Sequence, residues 1–359
     1  MPLPKEDSSS PLGTGGHRPL IISGPCSAET ELQLLTTAKE LAALGNIDLL
    51  RAGIWKPRTR PGSFEGVGTP GLKWLLQAKQ ETGLSTTVEV ATAKQIEEAL
   101  KYEVDVLWIG ARSTANPFSV QELADALKGV SIPVLIKNPT NPDIELWVGA
   151  VERIASSGIT NIGLIHRGFT SYGNTTYRNA PMWQLPIEMR RRHPDLPMIC
   201  DPSHICGRRD ILQAVAQKAI DLGYDGLMLE SHIDPDNAWS DAKQQVTPQQ
   251  LSEILSSIKW RRSSAAETIS QIEALRDKID HIDDELLQLL SQRMKIADII
   301  GGVKKEKNIA ILQTRRWNEI LESAYEKAEE LGLSKEFLHR YFDAVHLESI
   351  NHQTKVFNS

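Results

Sequence analysis

The apolar positions of this chain change rhythm near residue 261. Before it, short β-rich runs alternate with amphipathic stretches. The runs are Leu20–Ser23, Asp48–Gly53, Thr86–Val90, Val104–Ile109, Val134–Lys137, Ile162–Ile165, Met198–Cys200 and Gly226–Leu229. Helical periodicity fills intervening segments such as Glu29–Leu44, Lys94–Tyr102, Val120–Leu127, Arg208–Leu222 and Pro248–Ile258. Eight β/α units in succession predict an α/β fold, a (β/α)8 TIM barrel over residues 19–260. A doubly wound sheet would need a glycine-rich dinucleotide turn after the first strand, and Gly24-Pro-Cys-Ser is not one.

The small polar segment Arg261–Ala266 reads as a linker. Beyond it strand signals vanish, and residues 267–359 predict a small all-α domain. Ile269, Ile272, Leu275, Ile279, Ile282, Leu286, Leu289, Leu290, Met294 and Ile296 recur at helical spacing within Thr268–Glu306. A helix of that length, at about 1.5 Å per residue, approaches about 60 Å. It is too long to pack alone, which points to an intertwined dimer or coiled coil. Two more helices are expected near Gln313–Leu331 and Ser334–Thr354, with Gly332 closing the first and Ser334 capping the second.

Composition changes the picture little. The chain has 359 residues, 40% hydrophobic and 24% charged, with a net charge of -6, so neither nucleic acid nor an anionic membrane is an expected partner. Three cysteines, Cys26, Cys200 and Cys206, argue for a reducing, cytoplasmic setting rather than a disulfide framework. No stretch of about 20 apolar residues occurs to span a membrane. The Ser-, Gly- and Pro-rich residues 1–18 read as a flexible arm.

Candidate chemistry sits at the ends of the runs. Cys26, His204, Glu230 and Asp241 form a mixed S/N/O set suited to a divalent transition metal. Their wide separation fits a barrel rim, where each strand end contributes one residue. Arg51, Lys56, Arg58 and Thr59 follow the second strand, and Arg112, Lys137 and Arg167 follow the fourth, fifth and sixth. Cations after that many strands imply a substrate with several negative charges. Cys200 reads as a strand-buried thiol, and His166 and His232 as packing or supporting residues.

The motifs GPCS, RAGIWKPRT, GAR, the strand-five lysine, HRG, DPSH and the Glu230-to-Asp241 pair, in that order, resemble the 3-deoxy-D-arabino-heptulosonate 7-phosphate (DAHP) synthases of the short microbial branch. The resemblance implies condensation of phosphoenolpyruvate with erythrose 4-phosphate and release of phosphate. It makes Cys26, His204, Glu230 and Asp241 metal ligands, with Mn2+ the first choice and Fe2+, Co2+ or Zn2+ the others. Arg51, Lys56, Arg112, Lys137 and Arg167 would hold phosphoenolpyruvate, with Lys56 also suited to proton transfer. Arg58 and Thr59 would hold the sugar phosphate, and Asp201, at the site mouth, a sugar hydroxyl. Asn138-Pro139 departs from the Arg-Gly of the commonest branch, so the loop there is expected to differ.

Among the tail's cations, Arg276, Arg293, Lys304 and Arg316 fall at intervals of 17, 11 and 12 on an amphipathic frame. Eleven residues are about three helical turns, so Arg293 and Lys304 share a face. The stretch from Leu275 through Lys304 resembles an all-helical chorismate mutase. That implies a helical homodimer whose two sites each borrow Arg276 from the other copy. Arg293 and Arg316 would clamp the carboxylates of chorismate. Lys304 and Gln353 would donate to its ether oxygen, and Ser349 would touch a carboxylate. Where some members place acidic residues, this chain has Gln313 and Trp317. Gln313 can still bond a hydroxyl; Trp317 can only donate.

The reading is a bifunctional enzyme, with feedback of prephenate or chorismate on the barrel through the tail. The alternatives are a synthase with a non-catalytic dimerisation and sensing tail, a sister synthase using arabinose 5-phosphate, and a sugar-phosphate binding protein.

Overall fold

A computed structural model describes residues 12, 19–56, 62, 64–173, 176–261 and 266–359; side chains of the long tail helix are described from residue 272, except residue 274. Residues up to Arg261 form one compact unit and those from Arg262 another.

In the first unit eight parallel strands close into a barrel. They are β1 (Leu20–Gly24), β2 (Leu49–Arg51), β3 (Ser85–Val90), β4 (Val106–Ile109), β5 (Val134–Lys137), β6 (Ile162–His166), β7 (Met198–Cys200) and β8 (Gly226–Glu230). β1 pairs with both β2 and β8, which closes the ring. Around it lie α1 (Glu31–Ala43), α2 (Pro70–Thr82), α3 (Ala93–Lys101), α4 (Ala111–Thr114), α5 (Pro117–Ala126), α6 (Ile144–Ser156), α7 (Gln184–Arg192), α8 (Pro202–Cys206), α9 (Leu212–Asp221) and α10 (Pro248–Ser257). α1, α3, α6, α8 and α10 start where a side chain accepts from their first amides: Thr30, Thr92, Asp143, Asp201 and Thr247 respectively.

Two apolar layers result. One packs strands against helices. The other fills the barrel: Leu20, Ile22, Leu49, Val106, Trp108, Leu135, Ile165, Ile199 and Met228, joined by Leu12. Leu12, the described residue of the 1–18 segment, is buried among these barrel-interior side chains. Gly163, near the start of β6, makes room there: a Cβ would lie 2.6 Å from Leu135 and 3.6 Å from Leu12. An open barrel end exposes apolar side chains, and one leucine from the preceding segment covers them.

The second unit consists of α11 (Ala266–Glu306), α12 (Thr314–Ala328) and α13 (Lys335–Asn358), with α13 packing on both others. Gly332 takes a left-handed φ of 66°, and the Ser334 hydroxyl accepts from the Phe337 amide to start α13. On α11, Leu275, Ile279, Ile282, Leu286 and Leu289 are exposed. No helix among the described residues is long and apolar enough to cross a membrane.

Candidate active sites in the barrel and the helical unit

Alternate residues of a strand face the same side. Extending the interior positions by two steps therefore gives the residues that crown the barrel. Leu49 leads to Arg51, Leu135 to Lys137, Ile165 to Arg167, Ile199 to Asp201 and Met228 to Glu230. β1 continues through Gly24, whose φ is 144° and whose Cβ would sit 2.0 Å from the Arg51 carbonyl oxygen, to Cys26. Only glycine lets β1 and β2 approach so closely at that rim.

Cys26, Glu230 and Asp241 present their ligand atoms within 4.8 Å of one another. Cys26 Sγ lies 3.2 Å from Asp241 Oδ2, and Lys56 Nζ donates to Sγ at 2.9 Å. His204 Nε2 is 3.7 Å from Glu230 Oε1. Asp201 is fully buried rather than at the mouth. Its Oδ2 accepts from Lys137 Nζ at 2.9 Å and lies 2.8 Å from His204 Nδ1, while Oδ1 accepts from the His204 amide. Asp201 Oδ2 is thus close to His204 Nδ1, but Nδ1 is not aligned with it as a hydrogen bond. These partners give Asp201 a holding role toward Lys137 and His204.

Burial, then the charge of Glu230, pushes the Cys26 thiol up to about 12. Burial lowers the His204 pKa, against the opposing pull of Asp201 and Glu230. For Asp201 burial acts upward, but His204 and Lys137 outweigh it and hold the carboxyl well below its usual range. Glu230 is likewise lowered against burial by His204 and Arg51, and Asp241 by Arg178.

The cations form an anion cradle beside this cluster. Arg51 and Lys137 are buried, and both sit over the Trp108 ring, at 5.1 Å and 5.7 Å from its centroid. Arg51 Nη1 is 3.2 Å from Glu230 Oε1, near enough for an ion pair but not aligned as a hydrogen bond. Arg51 Nε and Nη1 and Glu230 Oε1 thus keep unused hydrogen-bonding capacity in a dry site. Burial lowers Arg167 to about 10. Its Nη1 donates to Asn179 Oδ1 at 2.7 Å, and its amide to Asn138 Oδ1 at 2.7 Å. Asn138, the departure from the common pattern, is fully buried and ties the end of β5 to the Arg167 loop. Its Nδ2 donates to the carbonyls of Pro139 and Gly168. Arg112 is exposed on α4, close enough to Arg167 to lower that group's pKa. Arg58 and Thr59 lie outside the described residues.

Cys200 is a buried strand thiol, and Cys206 is buried too. His232 contacts Glu29 at 3.3 Å. His166 is fully buried; Nε2 donates to the Pro181 carbonyl and Nδ1 accepts from Tyr224 Oη. Burial takes it from its ordinary 6.5 to about 4. The unfolded chain therefore binds a proton between those values that the folded chain refuses. Stability is fully present above pH 6.5 and falls as pH drops towards 4, by up to about 3 kcal/mol. His166→Gln is expected to flatten that acid limb in urea unfolding measured at pH 7 and pH 4.5. An unchanged slope would contradict the assignment.

In the helical unit, Arg293, Lys304, Gln313, Arg316, Ser349 and Gln353 line one cavity of about 260 Å³. Arg293 Nη1 donates to Ser349 Oγ. Lys304 Nζ donates to Gln353 Oε1 at 3.0 Å and to the Ile311 carbonyl at 2.6 Å. Partial burial lowers the Lys304 pKa. Trp317 stacks on His346 at 4.3 Å, so it serves as a wall. Arg276 is exposed on α11, 17 residues from Arg293, or about 25 Å along the helix, and does not reach this cavity.

Three supporting residues gave no periodic signal in the sequence. Arg178, Gln244 and Gln245 hold Asp241, Glu230 and Cys26. Glu89, on β3, accepts from Trp108 Nε1 at 3.2 Å. The alternation on β3 through Thr87 would have found Glu89.

A barrel crowned by buried cations and a thiol–imidazole–carboxylate cluster defines an enzyme for an anionic, carboxylate- or phosphate-bearing substrate. Residues 6–267 match the DAHP synthetase I family, and residues 275–354 match chorismate mutase type II. Phospho-2-dehydro-3-deoxyheptonate aldolase of Thermotoga maritima is 35% identical over 239 residues, covering 67% of this chain and 68% of that protein. The 2-dehydro-3-deoxyphosphooctonate aldolase of Geotalea daltonii is 30% identical over 276 residues, covering 71% of this chain and 97% of that protein. The crystal structure of the Thermotoga maritima DAHP synthase superposes with a TM-score of 0.59 at 33% identity, covering 66% of this chain and 67% of that one.

The chain belongs to the DAHP synthetase I family and carries a C-terminal chorismate mutase type II domain. It is an enzyme with two activities of aromatic amino acid biosynthesis, those of a 3-deoxy-7-phosphoheptulonate synthase and a chorismate mutase.

Proposed function

We infer that the barrel condenses phosphoenolpyruvate with erythrose 4-phosphate to DAHP and inorganic phosphate, and that the helical unit rearranges chorismate to prephenate. The observation that carries the first half is the convergence of Arg51, Lys137 and Arg167 beside Cys26, His204, Glu230 and Asp241. These four side chains fit a divalent ion. A thiol and two carboxylates converge, the His204 imidazole lies 3.7 Å from Glu230, and Glu230 Oε1 lacks a hydrogen-bond donor. Mn2+ is the first choice, with Fe2+, Co2+ or Zn2+ the others. A bound ion would polarise the aldehyde oxygen of the sugar.

Arg51, Lys137 and Arg167, with Arg112 at the rim, neutralise the phosphoenolpyruvate carboxylate and phosphate. They would hold its enol carbon facing the aldehyde, so that attack becomes intramolecular in effect. Positive charge then develops at C2, water adds there, and phosphate leaves. Lys56, beside Cys26, is placed to move a proton at this end of the site. Arg58 and Thr59 hold the sugar phosphate. The domain limits proposed are 19–260 for the barrel, 261–266 for the linker and 267–359 for the mutase.

The mutase cavity needs no nucleophile. Arg293 and Arg316 would clamp the two carboxylates in the compact conformer, Ser349 would contact one of them, and Gln313 would bond the hydroxyl. Lys304 and Gln353 would donate to the ether oxygen as its bond breaks. Arg276 reaches such a cavity only from a second copy. The exposed Leu275, Ile279, Ile282, Leu286 and Leu289 on the same helix fit that homodimer. Prephenate or chorismate bound there is the proposed feedback signal to the barrel.

The similarity to a 2-dehydro-3-deoxyphosphooctonate aldolase favours one other reading, a synthase using arabinose 5-phosphate. Phosphoenolpyruvate consumption measured with each sugar separates them. Turnover is expected with erythrose 4-phosphate and not with arabinose 5-phosphate; the reverse preference would replace the proposal.

A further inference from the structure

We propose that Gln244 and Gln245, with Arg178, are positioning residues that fold the Asp241 loop onto Cys26 and Glu230 and leave each carboxylate one oxygen for the metal. This rests on the reading of Cys26, His204, Glu230 and Asp241 as the metal-holding set.

The loop after β8 must return a carboxylate to the barrel axis. Asp241 does so with a left-handed φ of 48°, a conformation that costs a non-glycine residue energy unless its surroundings hold it. A single turn of 3-10 helix, Ala242–Gln244, follows at once, with the Gln244 amide donating to the Asp241 carbonyl at 3.2 Å. Arg209 fixes the far side of the turn, donating to the carbonyls of Ala242 and Gln245. Both glutamine side chains are essentially fully buried, at 1% and 0% exposure. Two adjacent amides in a dry interior must find partners for every donor and acceptor they use.

One partner of each glutamine belongs to the metal-holding set. Gln244 Nε2 donates to Glu230 Oε2 at 2.7 Å, and Gln244 Oε1 accepts from Arg178 Nη1 at 2.6 Å. The same Arg178 nitrogen donates to Asp241 Oδ1 at 2.9 Å. Gln245 Oε1 accepts from the Cys26 amide at 2.8 Å, and its Nε2 donates to the Ser240 carbonyl at 2.8 Å. An arginine can only donate and a carboxylate can only accept, so the orientation of the Gln244 amide is fixed by its neighbours.

The consequence is an asymmetry within each carboxylate. Glu230 Oε2 is tied back by Gln244, and Oε1 is left without a hydrogen bond. Asp241 Oδ1 is tied back by Arg178, and Oδ2 faces Cys26 Sγ. Each acid therefore offers one oxygen and is held from chelating with two. Gln245 meanwhile locks the Cys26 backbone to the residue preceding Asp241. One dipeptide thus sets the placement of three of the four donors, and it does so without touching the substrate cradle of Arg51, Lys137 and Arg167.

The test uses the full-length chain with Co2+ as probe, reading affinity by chelator competition and geometry by visible absorption. The unsubstituted chain is expected to show a thiolate-to-cobalt band. In Gln244→Met, which keeps the volume but cannot donate, the Co2+ dissociation constant is expected to rise about 10–100-fold and the ligand-field bands to shift as Glu230 gains a second free oxygen. Arg178→Met, at a side chain 44% exposed that the fold should tolerate, is expected to weaken Co2+ at least about tenfold by releasing Asp241 Oδ1. Co2+ affinity and spectra equal to those of the unsubstituted chain in Arg178→Met and in any folded Gln244→Met would overturn the proposal, even with lowered thermal stability. Absence of the thiolate band from the unsubstituted chain would instead remove the metal reading beneath it, and the proposal with it.

Discussion

Cys26→Ala is expected to lower synthase kcat/KM by on the order of 10³-fold or more while chorismate turnover stays within about twofold. The thiol is fully buried at the meeting point of Lys56, Asp241 and Glu230. Its removal deletes the one soft donor of the set and leaves the anionic pair Glu230 and Asp241 facing a gap. A Lewis acid contributes several kcal/mol to a charge-developing transition state, and each 1.36 kcal/mol is a factor of ten in rate. Losing most of it gives the stated magnitude. Steady-state kinetics with saturating Mn2+ makes the comparison. A loss smaller than about tenfold would mean that Cys26 is a buried packing thiol.

Lys304→Ala is expected to cost mutase kcat/KM about 10²–10³-fold, the scale seen when one donor to a developing oxyanion is removed. The amine reaches the Gln353 amide oxygen and a backbone carbonyl, so it is held at one place in the cavity with a proton left to donate. Barrel turnover without added prephenate should not change. Inhibition of the barrel by prephenate should weaken with the mutation if the tail is the sensor. Persistence of fast chorismate turnover in Lys304→Ala would move catalysis elsewhere. No turnover in either protein would leave the tail a dimerisation and sensing module.

Much of the barrel was legible because a strand buried on both faces has few sequences open to it. All eight β-rich runs overlap the eight strands, from Leu20 to Glu230, and the two-residue alternation carries directly from core to crown. The long helix, Gly332 and Ser334 were legible for the same local reason: helix periodicity and caps are written in neighbouring residues.

The misses have a common cause. The resemblance put Asp201 at the mouth of the site. Extending Ile199 by two would have put it inside, beneath the reach of solvent. Arg178 meets Asp241 across 63 residues, and Gln245 meets Cys26 across 219, so no local pattern announces either. Leu12 stands alone in a Ser/Gly/Pro-rich segment; its burial is decided by the open end of the barrel, which is a property of the closed sheet.

The most direct test of the whole reading is one paired assay on metal-stripped protein. Phosphoenolpyruvate loss with erythrose 4-phosphate is followed before and after adding Mn2+, and chorismate loss is followed in parallel. The prediction is metal-dependent synthase turnover beside metal-independent mutase turnover, two chemistries in one chain. Failure of every divalent metal among Mn2+, Fe2+, Co2+ and Zn2+ to elicit synthase turnover would contradict it.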